Sequence, residues 1–176
     1  MHEAEVESVH ERAQKISRLG YVLIAALVFV GDQLSKSMVE RSIPEYAVIP
    51  VIPHFFNLTH TKNPGAAFGL FADSPAAWKT VLLVVISALL IAIVVGVVWK
   101  SRRLQWESGV GLALILGGAI SNLIDRIRFG RVVDFLDFYF RSYHWFAFNL
   151  ADSGIVVGAG FLILQVVFAQ EPVGGR

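Results

Sequence analysis

Five carboxylates, Asp32, Asp125, Asp134, Asp137 and Asp152, stand in apolar sequence, as in RVVDFLDFYF over residues 131–140. An ionised carboxylate in such surroundings is costly, so it is paired, hydrogen-bonded or held for chemistry. Two carboxylates in contact can share one proton, because like charges at close range do not both ionise easily. The ionised member then takes a proton from water while the protonated member polarises a carbonyl, the chemistry of aspartic proteases. Other hydrolytic arrangements are not visible. The 176 residues contain no cysteine, which excludes a thiol nucleophile, disulfides and thiolate-bound metal. Ser153 in NLADSGIVVG lacks a G-x-S-x-G elbow and an evident His partner. No H-E-x-x-H and no glycine-rich phosphate loop is present, and His54 and His60 lack a third ligand at recognisable spacing. Neither a metal nor another cofactor is expected.

The elements that must position these acids follow from composition. The chain is 55% hydrophobic and only 16% charged, against about 25% charged for a soluble domain. We therefore expect one integral membrane domain over residues 1–176. A crossing needs about 20 apolar residues, and four stretches qualify, at about 19–39, 80–99, 108–127 and 150–169. The first is followed by DQLSKSM and shows no small-x-small cleavage site, so it is read as a retained span. Lys100, Arg102 and Arg103, flanked by Trp99 and Trp106, make the second loop cytoplasmic by the positive-inside rule. Both termini then lie inside, with residues 1–18 as a tail. There Val6, Val9, Ala13 and Ile16 have the spacing of a short amphipathic helix, although a frayed polar tail fits as well.

The outer segments are about 40–79 and 128–149. The first is punctuated by Pro44, Pro50, Pro53, Pro64 and Pro75 and carries the β-prone pieces YAVIPVI, FFNLTHT and AAFGLF, which suits a small sheet on the membrane surface. The expected fold class is an all-α integral membrane protein, four transmembrane helices with a small extracytoplasmic β-sheet subdomain. Arg126, Arg128, Arg131 and Arg141 fall on the outer side, against the charge bias. Either the topology is inverted, or they have carboxylate or lipid-phosphate partners that match the guanidinium fork.

Depth brings the polar residues together. Asp32 lies about 20 Å along the first span at 1.5 Å per residue, and Lys36 follows on the same face, where the two can pair. Asn122, Asp125 and Arg126 close the third span, Gly130 can turn the chain, and Asn149 and Asp152 open the fourth. Asp32, Asp125, Asp134 and Asp152 thus share one plane at the outer interface, and 17 residues separate Asp134 from Asp152. Structural readings stand beside the functional one. Asp32 and Lys36 form a structural ion pair. Asp125 and Arg126 pair or cap a helix, Asn122 and Asn149 act as interhelical hydrogen-bonding glue, and Asp152 caps the fourth span. Asp137 reads as a solvated outward-facing acid, and Lys62, His54, His60 and His144 as ordinary interfacial residues. Pattern alone does not choose between Asp134 and Asp137.

Longer motifs add to this. DQLSKSMVE resembles the D-x-x-x-K pattern of the lipoprotein signal peptidase (signal peptidase II) family, HTKNPGAAFGLF its N-x-G-A-A-F block, SNLIDRIRFGRVVDFLDF its G-N-x-x-D-R and V-V-D-F, and FAFNLADSGIVVG its F-N-x-A-D-S. The four blocks keep the family's order. Ser121 departs from it, standing where the family commonly has Gly. The resemblance implies that Asp134 and Asp152 are the catalytic pair, with Asn63, Gly65, Asn122, Asp125, Arg126 and Asn149 binding substrate or supporting the pair. It implies cleavage before the lipidated cysteine of diacylglyceryl-modified prolipoproteins, at the outer face of the bacterial cytoplasmic membrane. The partners expected are those precursors and membrane lipid, with no nucleic acid, and the chain is expected to act as a monomer. The substrate's signal helix would enter laterally between spans with its acyl chains still in lipid. The competing reading from residues alone is a small proton-coupled transporter using the acids as a relay. Against it, the acids stop at one interface and no inverted repeat is apparent. A membrane scaffold would leave the convergent acids unexplained.

Overall fold

The computed structural model describes residues 18–65, 76–101, 104–141 and 143–168. Among the described residues, four helices are long and apolar enough to cross a membrane: α1 Arg18–Ser42, α2 Ala76–Lys100, α3 Trp106–Phe129 and α4 Leu150–Phe168. Each agrees with an expected span and extends beyond it by a few residues at most. The expected tail helix and AAFGLF lie outside the described residues.

The central helix is α3, against which α1, α2 and α4 all pack, while α2 makes no substantial contact with α1 or α4 among the described residues. Small residues permit this. A Cβ on Gly118 would lie 2.3 Å from the Ala151 carbonyl oxygen, and one on Gly158 2.5 Å from that of Gly111. Backbone-to-backbone approach of this kind is how helices associate in lipid, where no hydrophobic force drives them together. The difference in surroundings is large: 56% of the apolar window of α3 is buried, against 6% of that of α2. The run VLLVVISALLIAIVVGVV in α2 accordingly presents Val81, Val85, Leu89 and Ile93 outward.

Gly130 ends α3 in the left-handed conformation, with φ 68°, and its N–H donates to the Arg126 carbonyl at 2.9 Å. Glycine adopts this conformation freely, and it turns the chain into a strand. The sheet is antiparallel, ordered β1 (Val48–Ile52), β2 (Phe56–Asn63), β3 (Val132–Phe140), β4 (Tyr143–His144). Its third strand corrects the expectation of a sheet built from residues 40–79. RVVDFLDFYF itself enters the sheet beside β2, setting Thr61 opposite Asp134 and Asn57 opposite Asp137. Its Val, Phe and Tyr residues suit a pleated surface. Val133 and Phe135 pack on Val39 and Ile43 at the end of α1, which fixes the sheet to the helical bundle.

Candidate active site

Asn149 organises the start of α4. Its carbonyl accepts from Ser153 N–H at 3.1 Å, its Oδ1 accepts from Asp152 N–H at 2.9 Å, and its own N–H donates to Asp152 Oδ2 at 3.3 Å. This is a reciprocal capping box. It corrects the expectation that Asp152 is the cap: Asn149 caps, and Asp152 completes the box from the third helical position. The Asn149 Nδ2 then donates to Asp134 Oδ1 at 2.7 Å. One fully buried side chain, 0% exposed, therefore holds both acids.

Each acid has a second amide. Asn122 Nδ2 donates to Asp152 Oδ1 at 2.8 Å, and Asn63 Nδ2 donates to Asp134 Oδ2 at 3.0 Å. Asn63 is oriented in turn by its Oδ1, which accepts from Gly65 N–H at 2.9 Å. Gly65 has φ 123°, which favours glycine, and a Cβ there would also displace Leu83 Cδ1, 2.5 Å away. Asp134 is 2% exposed. Burial, and after it the charge of Asp152, push its carboxyl up to about 7, partly offset by the amides of Asn63 and Asn149.

Behind the acids lies a charged cluster. Lys36 Nζ contacts Asp32 Oδ2 and Asp125 Oδ2, both at 2.6 Å, and donates to Asn122 Oδ1 at 2.9 Å. Asp32 also accepts from Ser121 Oγ at 2.7 Å and, through Oδ1, from Ala151 N–H at 2.9 Å, so it satisfies a free donor of the first turn of α4. Gln33 Nε2 donates to Ser121 Oγ and to Asp125 Oδ1. The Asp32–Lys36 pair is thus found and enlarged, whereas Asp125 pairs with Lys36 and not with Arg126. Gln33 escaped the sequence reading, and Ser121 entered it only as a departure from Gly. The departure from Gly at 121 was the available signal, since its hydroxyl now serves Asp32.

Arg126 donates from Nη1 to the Asn122 carbonyl at 3.3 Å, while its buried Nε has no hydrogen-bond partner among the described residues. Arg126, Asn63, Asp134 and Asp152 line a cavity of about 490 Å³ whose other walls are largely apolar, from Trp145, Phe146 and Phe148 and from Ile155 to Val157. Ser153 Oγ donates to the Asn149 carbonyl at 2.9 Å, a helix-start bond and not a nucleophile's arrangement.

The expectations for Asp137 and His60 are corrected. Asp137 is buried, accepting from Asn57 Nδ2 at 2.8 Å and lying 3.0 Å from His144 Nδ1. It ties β2, β3 and β4 together. His60 is buried with Nδ1 2.7 Å from the Ile43 carbonyl, and Lys62 pairs with Glu45 at 2.6 Å. Of the outer arginines, Arg128 lies over Phe129 and Arg141 over Phe140.

Known proteins similar in sequence and shape are consistent with this arrangement. A family model described as signal peptidase (SPase) II matches residues 24–168. A lipoprotein signal peptidase of Solibacter usitatus (strain Ellin6076) is 44% identical over 144 residues, covering 82% of this chain and 88% of that protein. One from Xanthomonas euvesicatoria pv. vesicatoria (strain 85-10) is 46% identical over 170 residues, covering 91% and 95%. A solved bacterial membrane enzyme, determined in meso at 2.3 Å, superposes with a TM-score of 0.78 at 28% identity over 93% of this chain and 98% of that one. A second, at 1.9 Å, gives 0.75 at 31% identity over 88% and 96%.

Proposed function

The chain belongs to the signal peptidase II family, and on that footing we propose that it is an aspartic endopeptidase whose catalytic pair is Asp134 and Asp152. Its relatives are named lipoprotein signal peptidases, so its substrates are prolipoproteins. By the family resemblance, these carry diacylglycerol on the cysteine that follows the cut. The observation that carries the catalytic assignment is the shared side chain of Asn149, which donates to Asp134 and accepts from the N–H of Asp152, at the wall of one cavity.

Each carboxylate receives two donors, which use in-plane lone pairs and leave the remaining ones to a shared proton and a water. Asp134, pushed up to about 7 mainly by burial, holds the proton near neutral pH. Asp152, at the N-terminus of α4, carries the charge that a helix start favours. Asp152 takes a proton from water as the water oxygen bonds to the scissile carbonyl carbon, and Asp134 protonates the carbonyl oxygen. In collapse the C–N bond breaks, the leaving amine takes the proton from Asp152, and the re-forming carbonyl returns one to Asp134. Arg126, with its free Nε, binds a substrate carbonyl, while Asn63, Asn122 and Asn149 orient the pair. The apolar walls keep water scarce.

The active site faces the outer side of the bacterial cytoplasmic membrane, both termini are cytoplasmic, and the protein works as a monomer. The test incubates purified protein with a diacylglyceryl-modified precursor and with the unmodified one, and measures freed signal peptide. Only the lipidated precursor is cut. Asp134→Asn and Asp152→Asn each lower the rate by roughly 10³-fold or more with helical content unchanged. Near-parent cleavage by either variant would show the pair to be wrongly assigned.

A further inference from the structure

Lys36 does not line the cavity that holds Asp134 and Asp152, yet it is 4% exposed and in contact with the machinery around it. An ammonium has three donors and no acceptor, and all three are engaged, by Asp32, Asp125 and the Asn122 Oδ1. Two of these acceptors are carboxylates, Asp32 and Asp125. The third belongs to a neutral amide whose other end reaches Asp152 at 2.8 Å.

An Asn side chain has nearly the same shape in either flip, so its neighbours decide which end faces which way. Here the decision has one answer. Facing Lys36 with its oxygen, Asn122 offers Asp152 a donor. Turned over, it would set N–H against an ammonium and a carbonyl oxygen against a carboxylate, two repulsive contacts at once. The ammonium is itself held by carboxylates on two helices, Asp32 on α1 and Asp125 on α3. Through Ala151 N–H, Asp32 also anchors the turn that carries Asp152.

We propose that Lys36 is a positioning residue for peptide cleavage: its ammonium locks the Asn122 amide so that Asp152 receives a donor and serves as the charged member of the pair. The inference rests on the assignment of Asp134 and Asp152 made above. The charged groups around Asp152 are Asp32 and Lys36 from α1, Asp125 and Arg126 from α3, and Asp134 from β3, while Lys79 of α2 lies beside Gly65. Of these only Lys36 is bonded to the amide that reaches Asp152.

The test compares kcat, KM and the pH profile for a lipidated precursor in Lys36→Met/Asp125→Asn, which removes one charge of each sign, and in the isosteric Asn122→Asp. The double variant is expected to keep KM within about threefold, to lose about 10- to 100-fold in kcat, and to shift the acid limb of kcat to higher pH, since ionised Asp152 has lost a donor. Unchanged kcat with an unmoved acid limb overturns the proposal. Should the double variant fail to accumulate folded, Asn122→Asp decides. It keeps shape and an acceptor for Lys36 but turns an oxygen toward Asp152, so a loss of about 100-fold supports the lock, and activity within threefold of the parent refutes it. Asp134→Asn and Asp152→Asn run alongside. If they remain active the catalytic pair is wrong, and if they are inactive while both other variants cleave normally, the role of Lys36 alone falls.

Discussion

Asp134→Asn is expected to change the sign of its effect on stability as pH rises. The parent carboxyl has an ordinary value of 3.8 and sits at about 7 in the fold. Below the lower value both folded and unfolded chains carry the proton, and the group is neutral in the balance. Between the two, the unfolded chain ionises while the folded one does not, so stability falls with rising pH and the loss is complete above about 7. At roughly 1.36 kcal/mol per pH unit the gap amounts to about 4 kcal/mol. Asparagine cannot ionise and escapes this loss. It brings a smaller penalty at every pH, because Asn63 and Asn149 both donate to Asp134 and one would then face an amide N–H₂, at about 1–3 kcal/mol. The variant should therefore be less stable than the parent by about 1–3 kcal/mol at pH 4 and more stable by a similar amount at pH 8. For a chain of this length each kcal/mol moves Tm by about 2–4 °C. Thermal unfolding in one detergent, at a fixed scan rate and across that pH range, reads the crossing. A variant-to-parent difference that stays flat from pH 4 to 8 would refute the claim that Asp134 is buried with its proton.

The same carboxyl sets an alkaline limit on turnover. Cleavage should decline as pH rises through about 7, where Asp134 gives up the proton that the proposed mechanism needs, and initial rates in buffers from pH 5 to 9 measure it. Gly65→Ala combines a positive φ of 123° with a 2.5 Å contact to Leu83. It should release Asn63 and lower the cleavage rate about tenfold or more, with the loss in kcat rather than KM. Gly118→Ala drives a Cβ to 2.3 Å from the Ala151 carbonyl, which separates α3 from α4, and about 1–3 kcal/mol of stability should go with it as a fall in Tm at all pH values.

The four spans were legible because a crossing needs length and apolarity, both of which are written locally. The gathering of acids at one end of the helical bundle was legible for a similar reason, since depth along a helix is arithmetic. What could not be read was partnership across the chain. RVVDFLDFYF became a sheet strand because β2, some 70 to 80 residues earlier, lies beside it, and no local pattern names that neighbour. Asp137 looked outward-facing until Asn57 and His144 were seen to enclose it. Asn149 appeared as helix glue, but its side chain uses both ends of its amide, one for the start of α4 and one for Asp134. That division depends on a strand and a helix meeting, and it was invisible in FAFNLADS.

The contrast between α3 and α2 bears on how this chain can change over time. With 6% of its apolar window buried, α2 answers chiefly to the bilayer, which asks for length and oiliness but not for order. Its valines, leucines and isoleucines could be shuffled extensively between Thr80 and Val98 and still make a serviceable span. On α3 the opposite holds, because glycines at 109, 111, 117 and 118 meet side chains or carbonyls of other helices and Ser121, Asn122 and Asp125 are committed to hydrogen bonds. The two helices have nearly equal length, but almost all the freedom to drift belongs to one of them.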